Sequence, residues 1–410
     1  MKLKNIKIEN YRCFKRADID FDENITLIVG KNGAGKTAIL DAVAVAVSTF
    51  LLGIDGGVSR GILKDDARYE FYDFDGTIDS QHQFPVSIES TGDCLDKRNI
   101  KWIRSLNSEN SNTTIKDARE LTNLSKDVQG RIMTGDRSLV LPLISYYGTG
   151  RLYAQKKEKK NKKSLTEFKR QVGYVDCMAA ESNEKLMLNW FQIQTLKSLQ
   201  EQQKTGVAEK PLLLKTVEKA ICKCFERISG SKNAGIIFDL DTHRLVLEYE
   251  KADGSSRKFA MDEMSDGYKN TLSMIGDIAY RMAVLNPMLG DKVLEETPGV
   301  ILIDEIDLHL HPQWQQTIIS DLNTVFPNVQ FIVSSHAPAV INSVAKENIR
   351  ILDNGEVYMP VAQTYGRDAN SILREVMKVS ERPIDITKRL DMFYAWMDDK
   401  KYDEADKGLS

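Results

Sequence analysis

Cysteine is scarce in this sequence, and its placement excludes a disulfide framework. The 410 residues hold five cysteines, Cys13, Cys94, Cys177, Cys222 and Cys224. Their odd number and scattered positions lack the paired spacing of a disulfide or zinc scaffold. We therefore expect five reduced thiols in a cytoplasmic protein.

Long apolar runs are missing as well. The N-terminus has no apolar segment of signal-peptide length. The longest apolar stretch, Ala42 to Leu52, is interrupted by Ser48 and Thr49 and is far shorter than the ~20 residues of a membrane helix. These absences predict a chain that neither enters nor spans a membrane by itself.

Charge and histidine are also limited. The net charge of −3 gives no general attraction to nucleic acids or anionic membranes. With only five histidines, we find no nuclease cluster. The exception is Lys156 to Lys163, where six of eight residues are lysine. This run predicts either a salt-dependent DNA contact or a solvated loop.

The pattern of strands predicts an α/β fold. Apolar strands at 25–29, 300–303, 330–334 and 348–352 alternate with helices, which indicates a parallel sheet covered on both faces. A β-meander is predicted between residues 236 and 261. The polar stretches 73–92 and 105–114 are predicted to be loops.

A glycine-rich loop follows the first of these buried strands and opens a helix, as the Walker A pattern requires. Its glycines let backbone N–H groups approach phosphates, and the helix N-terminus adds partial positive charge. Lys36 is expected near the β- and γ-phosphates, and the Thr37 hydroxyl near Mg²⁺. The predicted ATP contacts are Gly30, Lys31, Asn32, Gly33, Ala34, Gly35, Lys36, Thr37 and Ala38.

The strand at 300–303 ends in the two carboxylates Asp304 and Glu305, which is the Walker B arrangement. They lie at the edge where open α/β sheets bind ligands. We expect Asp304 to hold Mg²⁺, directly or through water, and Glu305 to act as general base. Asp307 follows, and His336 ends the next apolar strand, where it is expected to contact the γ-phosphate. For His309 and His311 we favour packing or capping over metal binding, because no third ligand is near.

The segment Met264-Ser265-Asp266-Gly267-Tyr268 resembles the signature motif of ABC-type ATPases, Leu-Ser-Gly-Gly-Gln. The resemblance implies that Ser265 and Gly267 close over the γ-phosphate held by the other protomer of a head-to-tail homodimer. Asp266 replaces a glycine, and we expect it to face away or to cap the helix. More than 220 residues separate this motif from the Walker A loop, which disfavours a compact transporter ATPase.

The opening segment Ile8 to Phe14 resembles the start of RecF and structural-maintenance-of-chromosomes (SMC) proteins. That likeness implies that Asn10 and Arg12 contact the base or the phosphates of ATP. For the glutamine of the Q-loop, Gln155 is one candidate, and Gln81 and Gln83 are poorer ones.

Further motifs resemble a bacterial group of stand-alone RecF-like ATPases that includes the ATPase subunit of Septu anti-phage systems, also found with retrons. They are Ile303 to Pro312 with Trp314-Gln315, Tyr147 to Arg151, and Thr364 to Ser371. The likeness implies ATP and Mg²⁺ as ligands, a homodimer or a higher oligomer, and a separate HNH-type nuclease as partner. DNA would be contacted through Lys156 to Lys163 or through the nuclease.

Four regions are predicted. They are an ATPase lobe with Walker A at 1–60, a largely helical insertion at 61–234 with the basic run 156–163, the β-meander, signature, Walker B and His-loop at 235–365, and a helical C-terminal segment at 366–410. Within the C-terminal segment, Pro383 to Ala405 either docks a partner or, as we favour, packs on its own domain.

Three functions remain open for this chain. They are a regulatory ATPase of phage defence, a RecF-like repair ATPase that binds DNA directly, and a nucleotide-gated scaffold with little ATP turnover.

Overall fold

The computed structural model describes residues 1–75, 77–152, 169–179, 184–207, 209–251, 253–380 and 382–399. The predicted basic run Lys156 to Lys163 and the candidate Gln155 lie outside these residues. The strands are β1 (Lys2–Tyr11), β2 (Phe14–Asp20), β3 (Ile25–Gly30), β4 (Tyr69–Phe74), β5 (Thr77–His82), β6 (Val86–Cys94), β7 (Lys97–Leu106), β8 (Leu143–Tyr147), β9 (Lys232–Asp239), β10 (Arg244–Glu250), β11 (Ser256–Ala260), β12 (Gly299–Ile303), β13 (Val329–Ser335), β14 (Ile349–Asp353) and β15 (Glu356–Tyr358).

Helices alternate with these strands. The described α-helices are α1 (Lys36–Val47), α2 (Arg119–Met133), α3 (Glu184–Thr205), α4 (Leu212–Ser229), α5 (Asp266–Leu285), α6 (Val293–Glu296), α7 (Pro312–Gln315), α8 (Ile318–Val325), α9 (Pro338–Ile341), α10 (Ala369–Ser371) and α11 (Ile384–Asp398).

A six-stranded sheet forms the centre of the fold, in the order β15-β14-β3-β13-β12-β8. Its strands from β14 to β8 are parallel, and β15 pairs antiparallel at one edge. The strands β3, β8, β12 and β13 are buried along their whole length, because helices cover both faces of a parallel sheet. The predicted α/β class is confirmed.

A second, antiparallel sheet has the order β2-β1-β6-β7. Helix α1 packs between the two sheets, since it contacts β1, β6 and β7 on one side and β3, β12 and β13 on the other. Its apolar continuation to Gly53 is long and apolar enough to cross a membrane, yet most of it is buried inside the protein. It is the core helix that follows the glycine-rich loop.

The sequence prediction of a loop over residues 73–92 is wrong. That stretch contains the end of β4, all of β5 and most of β6, whereas the second predicted loop, 105–114, overlaps a strand only at the end of β7. Because β8 also belongs to the central sheet, the region 61–234 is not a largely helical insertion in its first half. The strand β6 buries every second side chain. Its other face carries Ser87, Glu89 and Thr91, which makes a half-buried strand resemble a polar loop in sequence.

The β-meander is confirmed as the sheet β11-β10-β9, and α5 follows it. The C-terminal helix α11 has half-buried and exposed side chains along its described length. Leu390, Phe393 and Trp396 are among the half-buried ones. Packing of this segment on its own domain, which we favoured, and docking of a partner both stay predictions.

Candidate functional site

The glycine-rich loop joins the buried strand β3 to helix α1 at the carboxyl edge of the central sheet. Gly33 and Gly35 have φ of +83° and +103°, a region that residues with a Cβ rarely adopt. Gly35 is the N-cap of α1, so the first backbone N–H groups of a helix face the concave side of the loop. The geometry suits an anion with several oxygens.

The two glycines predict a sharp difference between matched variants. A Cβ on Gly35 would lie 2.6 Å from Cys13 Sγ and 2.8 Å from a ring carbon of Phe14, whereas one on Gly33 would meet nothing within 4 Å. Both alanine variants carry the strain of positive φ. Only Gly35→Ala adds overpacking, typically about 1–3 kcal/mol.

We therefore expect Gly35→Ala to lower the free energy of unfolding by about 1–3 kcal/mol more than Gly33→Ala does, and to bind ATP more weakly, because the loop must shift away from Cys13 and Phe14. Urea denaturation and titration calorimetry of the two purified variants measure the two differences. Equal affinities would show that the contact with Cys13 and Phe14 does not hold the loop.

Lys36 begins α1 and turns back over the loop. Its Nζ donates to the carbonyl oxygens of Gly30, at 2.7 Å, and Lys31, at 3.2 Å. Burial lowers the pKa of Lys36, while the charges of Glu305, Asp304 and Asp307 act in the opposite direction. A cation is thus held between the phosphate loop and the carboxylates that follow β12.

Asp304 and Thr37 meet, as the sequence predicted. The Thr37 hydroxyl donates to Asp304 Oδ2 at 2.7 Å, and the Ser334 hydroxyl donates to Asp304 Oδ1 at 2.5 Å. The same Ser334 oxygen accepts from the Glu305 backbone N–H at 2.8 Å. The sequence analysis did not identify Ser334, which lies on β13 and holds both Asp304 and Glu305. Its position two residues before His336 is the feature of the sequence by which it could have been found.

Glu305 has a φ of +48°, although it is not glycine. Such backbone strain persists where surrounding contacts impose it, and it clusters at functional sites. The Glu305 N–H is held by Ser334, the Glu305 carbonyl accepts from Leu308, and the next N–H donates to the Ser334 carbonyl. These bonds turn the chain sharply after the strand and fix where the Glu305 side chain begins.

Asp307 and His336 form a second pair at this edge. His336 Nδ1 lies 3.6 Å from Asp307 Oδ2, and Asp307 is buried while the His336 side chain is 46% exposed. The other carboxylate oxygen, Oδ1, is buried without a hydrogen-bond partner. The carboxylate therefore lies beside the imidazole at the sheet edge, at a distance longer than a hydrogen bond. Contact of His336 with the γ-phosphate stays a prediction.

The donor set fits Mg²⁺. Hydroxyl and carboxylate oxygens are the ligands this ion prefers, and it is usually bound by one or two carboxylates together with substrate phosphates. Thr37 and Asp304 supply such oxygens beside the phosphate loop. Within the described ranges, no group of three or more His, Cys, Asp or Glu side chains could hold a metal alone.

Asn10, near the end of β1, and Arg12, in the turn that follows it, both have positive φ, at +53° and +49°. Arg12 Nη1 lies 2.7 Å from Asp41 Oδ2 on α1, and Arg12 Nε donates to Asp66 Oδ1 at 2.8 Å. The Asn10 amide donates to the Pro85 carbonyl at 3.1 Å. Direct contact of Asn10 or Arg12 with a nucleotide stays a prediction.

Ser265 is the exposed N-cap of α5 and lies at a separate cavity of about 640 Å³ whose lining comes from α4, the meander and α5. Asp266 begins the helix in an exposed position, as expected. Gly267 is buried, and a Cβ there would lie 2.5 Å from the His309 carbonyl oxygen. The signature segment therefore packs on the loop that follows Asp307. Contact of Ser265 and Gly267 with a second protomer stays a prediction.

His311 has the capping role that we favoured. It is the N-cap of α7, and its Nδ1 accepts from the Gln313 N–H at 3.3 Å. The Trp314 ring lies 4.1 Å, centroid to centroid, from the ring of Tyr268. These contacts tie the start of α5 to the chain that follows the Walker B strand.

A buried network, absent from the sequence prediction, lies behind the site. Arg281 Nε donates to Asp277 Oδ2 at 2.8 Å, and the Tyr147 hydroxyl donates to the same oxygen at 2.8 Å. Tyr147 ends β8, and its carbonyl accepts from the Asp304 N–H. Tyr147 thereby connects helix α5, which begins at the signature motif, to the residue that follows the Walker B strand.

Residues 5–229 match the family described as AAA domain. The chain belongs to this AAA-domain family. A second AAA-domain family matches residues 203–342, so the two matches of this AAA-domain protein span both Walker motifs and the signature segment.

Named relatives cover nearly the whole chain. "Retron Vc95 probable ATPase" of Vibrio cholerae serotype O1 biovar El Tor is 26% identical over 441 residues, which cover 94% of this chain and 80% of that protein. "Septu protein PtuA" of Bacillus thuringiensis is 24% identical, covering 92% and 85%. An SMC head domain from Thermotoga maritima matches with a TM-score of 0.44 and 15% identity, covering 88% of this chain and 98% of that domain. The resemblance inferred from the motifs is confirmed.

Proposed function

We propose that this protein binds and hydrolyses ATP as the regulatory subunit of a cytoplasmic anti-phage defence complex. In this proposal it controls a separate HNH-type nuclease through ATP-dependent closure of a homodimer. The observation that carries the ATPase part is the cluster in which Ser334 joins Asp304 and Glu305 beside Thr37. The relatives named as retron and Septu proteins support the defence role.

Each side chain has a role in this proposal. The glycine-rich loop and Lys36 bind the β- and γ-phosphates, and Mg²⁺ held by Thr37 and Asp304 would neutralise phosphate charge. Glu305 accepts a proton from the attacking water, and His336, which lies beside Asp307, donates to a γ-phosphate oxygen. Ser265 at the N-terminus of α5 supplies backbone N–H groups to the nucleotide of the other protomer.

Lys36→Ala is expected to weaken ATP binding roughly 10- to 150-fold, because each charge-assisted hydrogen bond contributes about 1.5–3 kcal/mol. Lys292→Ala removes the same charge from an exposed position outside the loop and should have a much smaller effect. Titration calorimetry with a slowly hydrolysed ATP analogue compares the two. Equal losses would mean that general positive charge, rather than the position of Lys36, governs affinity.

The defence proposal predicts that an HNH-type nuclease is encoded beside this gene, and it is tested with that nuclease. The purified nuclease is assayed for DNA cleavage alone, with this chain and ATP, and with this chain and ADP. We expect cleavage to depend on which nucleotide the chain holds. A nuclease whose rate is the same in all three mixtures would reject the regulatory role, and the absence of such a gene beside this one would count against the assigned partner.

A further inference from the structure

The hairpin formed by β4 and β5 carries a group of exposed apolar side chains. It is a separate two-stranded sheet, with pairs from Tyr69–His82 to Phe74–Thr77. Phe71 is 72% exposed, Phe74 64% and Ile78 70%. Monomeric soluble proteins rarely leave such residues grouped in water unless they form an interaction site.

Both faces of the hairpin are uncovered. The register places Phe71 and Ile78 on one face and Tyr72 and Phe74 on the other, because successive side chains point to opposite sides of a strand. All four are exposed. A two-stranded hairpin with neither face packed is only marginally stable by itself in water. Its apolar side chains would be better accommodated against a second surface.

The hairpin is acidic. Residues 69–82 contain four carboxylates, Glu70, Asp73, Asp75 and Asp79, and no lysine or arginine. The Glu70 carboxylate accepts from Arg68 at 2.6 Å and from the Tyr72 hydroxyl at 3.0 Å. The whole chain has a net charge of only −3, so negative charge is concentrated in this short segment. That charge repels nucleic acid and favours a positively charged protein face.

The base of the hairpin is joined to the nucleotide site. Arg68 N–H donates to the Asn10 carbonyl at 3.0 Å, and Asn10 donates to Pro85 on the other side of the hairpin. Arg12 then bridges Asp66, just before β4, and Asp41, one turn beyond Thr37 on α1. A protein bound to the hairpin would therefore be connected through these contacts to α1, the helix that begins at the phosphate loop.

We propose that the β4–β5 hairpin is the docking arm for the protein partner of this ATPase, and that the partner presents an apolar patch bordered by positive charge. The identity of that partner as the nuclease rests on the proposed function. A second copy of the chain fits less well, because two acidic hairpins would repel each other. The aromatic side chains anchor the partner, and the carboxylates select its charge.

The test compares a triple variant of the hairpin with a double variant of exposed residues elsewhere on the surface. The hairpin variant combines Phe71→Ser, Phe74→Ser and Ile78→Ser. The control variant replaces two exposed apolar residues elsewhere, Met359→Ser and Val361→Ser. Affinity for the purified neighbouring nuclease is measured by titration calorimetry with ATP present. Anchors of this kind are hot spots, so we expect at least a ~30-fold loss in the hairpin variant and none in the control. Asp75→Lys with Asp79→Lys should weaken binding most at low salt.

The outcomes separate the two proposals. Equal nuclease affinity of wild type and hairpin variant overturns the docking arm and leaves the proposed function standing. No binding of wild-type chain in any nucleotide state removes both the partner and the arm assigned to it. A smaller oligomer of the hairpin variant in light scattering would instead show a contact between copies, which also overturns the proposal. Unchanged ATP turnover of the isolated hairpin variant verifies that its nucleotide site is intact.

Discussion

Glu305→Gln is expected to slow ATP turnover by about 10²–10⁴-fold while ATP binding persists. Loss of a positioned general base reduces a rate by this amount. Glutamine keeps the size of the side chain, so the backbone bonds to Ser334 and the φ of +48° at residue 305 are retained. Steady-state phosphate release, with nucleotide affinity measured in parallel, gives both quantities.

The control is Glu356→Gln, an exposed glutamate on the edge strand β15, which should turn over ATP at the wild-type rate. If Glu305→Gln is equally active, the base is another group. The nucleotide-gated scaffold makes a different prediction, namely that wild type itself barely hydrolyses ATP with or without the nuclease. The same assay therefore separates a regulatory ATPase from a scaffold.

The central sheet could be predicted because parallel strands buried on both faces are continuous apolar runs. Ile25 to Val29 and Val300 to Ile303 have this form, and each ends at a motif whose residue types are fixed by phosphate or Mg²⁺ chemistry. The meeting of Thr37 with Asp304 follows from the rule that ligands bind at the carboxyl edge of such a sheet. These parts of the fold and site need only local sequence information.

The parts of the site that could not be predicted depend on which strands are neighbours in the sheet. Ser334 reaches Asp304 because β13 lies beside β12 with Val333 opposite Ile303, and nothing local in either strand specifies that register. The hairpin β4–β5 escaped prediction for a different reason. Neither of its faces is buried, so its sequence lacks the apolar alternation by which a strand is recognised. Its exposed aromatic residues are the feature that the docking proposal explains.

The network behind the site also connects distant residues. Asp277 and Arg281 are spaced as an i, i+4 pair on a helix, which usually indicates a solvated surface pair. Only the tertiary structure shows that Tyr147, 130 residues away, donates to the same carboxylate. Burial changes the effect of a substitution on the free energy of unfolding. Removing one member of a surface pair lowers it little, whereas leaving a buried charge without its partner lowers it strongly.

Arg281→Met is accordingly expected to lower the free energy of unfolding by about 3–5 kcal/mol. Methionine fills similar space but leaves the buried Asp277 carboxylate without its cation. It also removes the donors, at 2.8 and 2.9 Å, to the carbonyl oxygens of Gly173 and Val175. Arg367→Met, which breaks an exposed pair with Glu375, is the matched control and should cost about 0–1 kcal/mol. Urea denaturation followed by circular dichroism compares them, and similar midpoints for the two variants would mean that the Tyr147–Asp277–Arg281 network does not hold α5 against the Walker B strand.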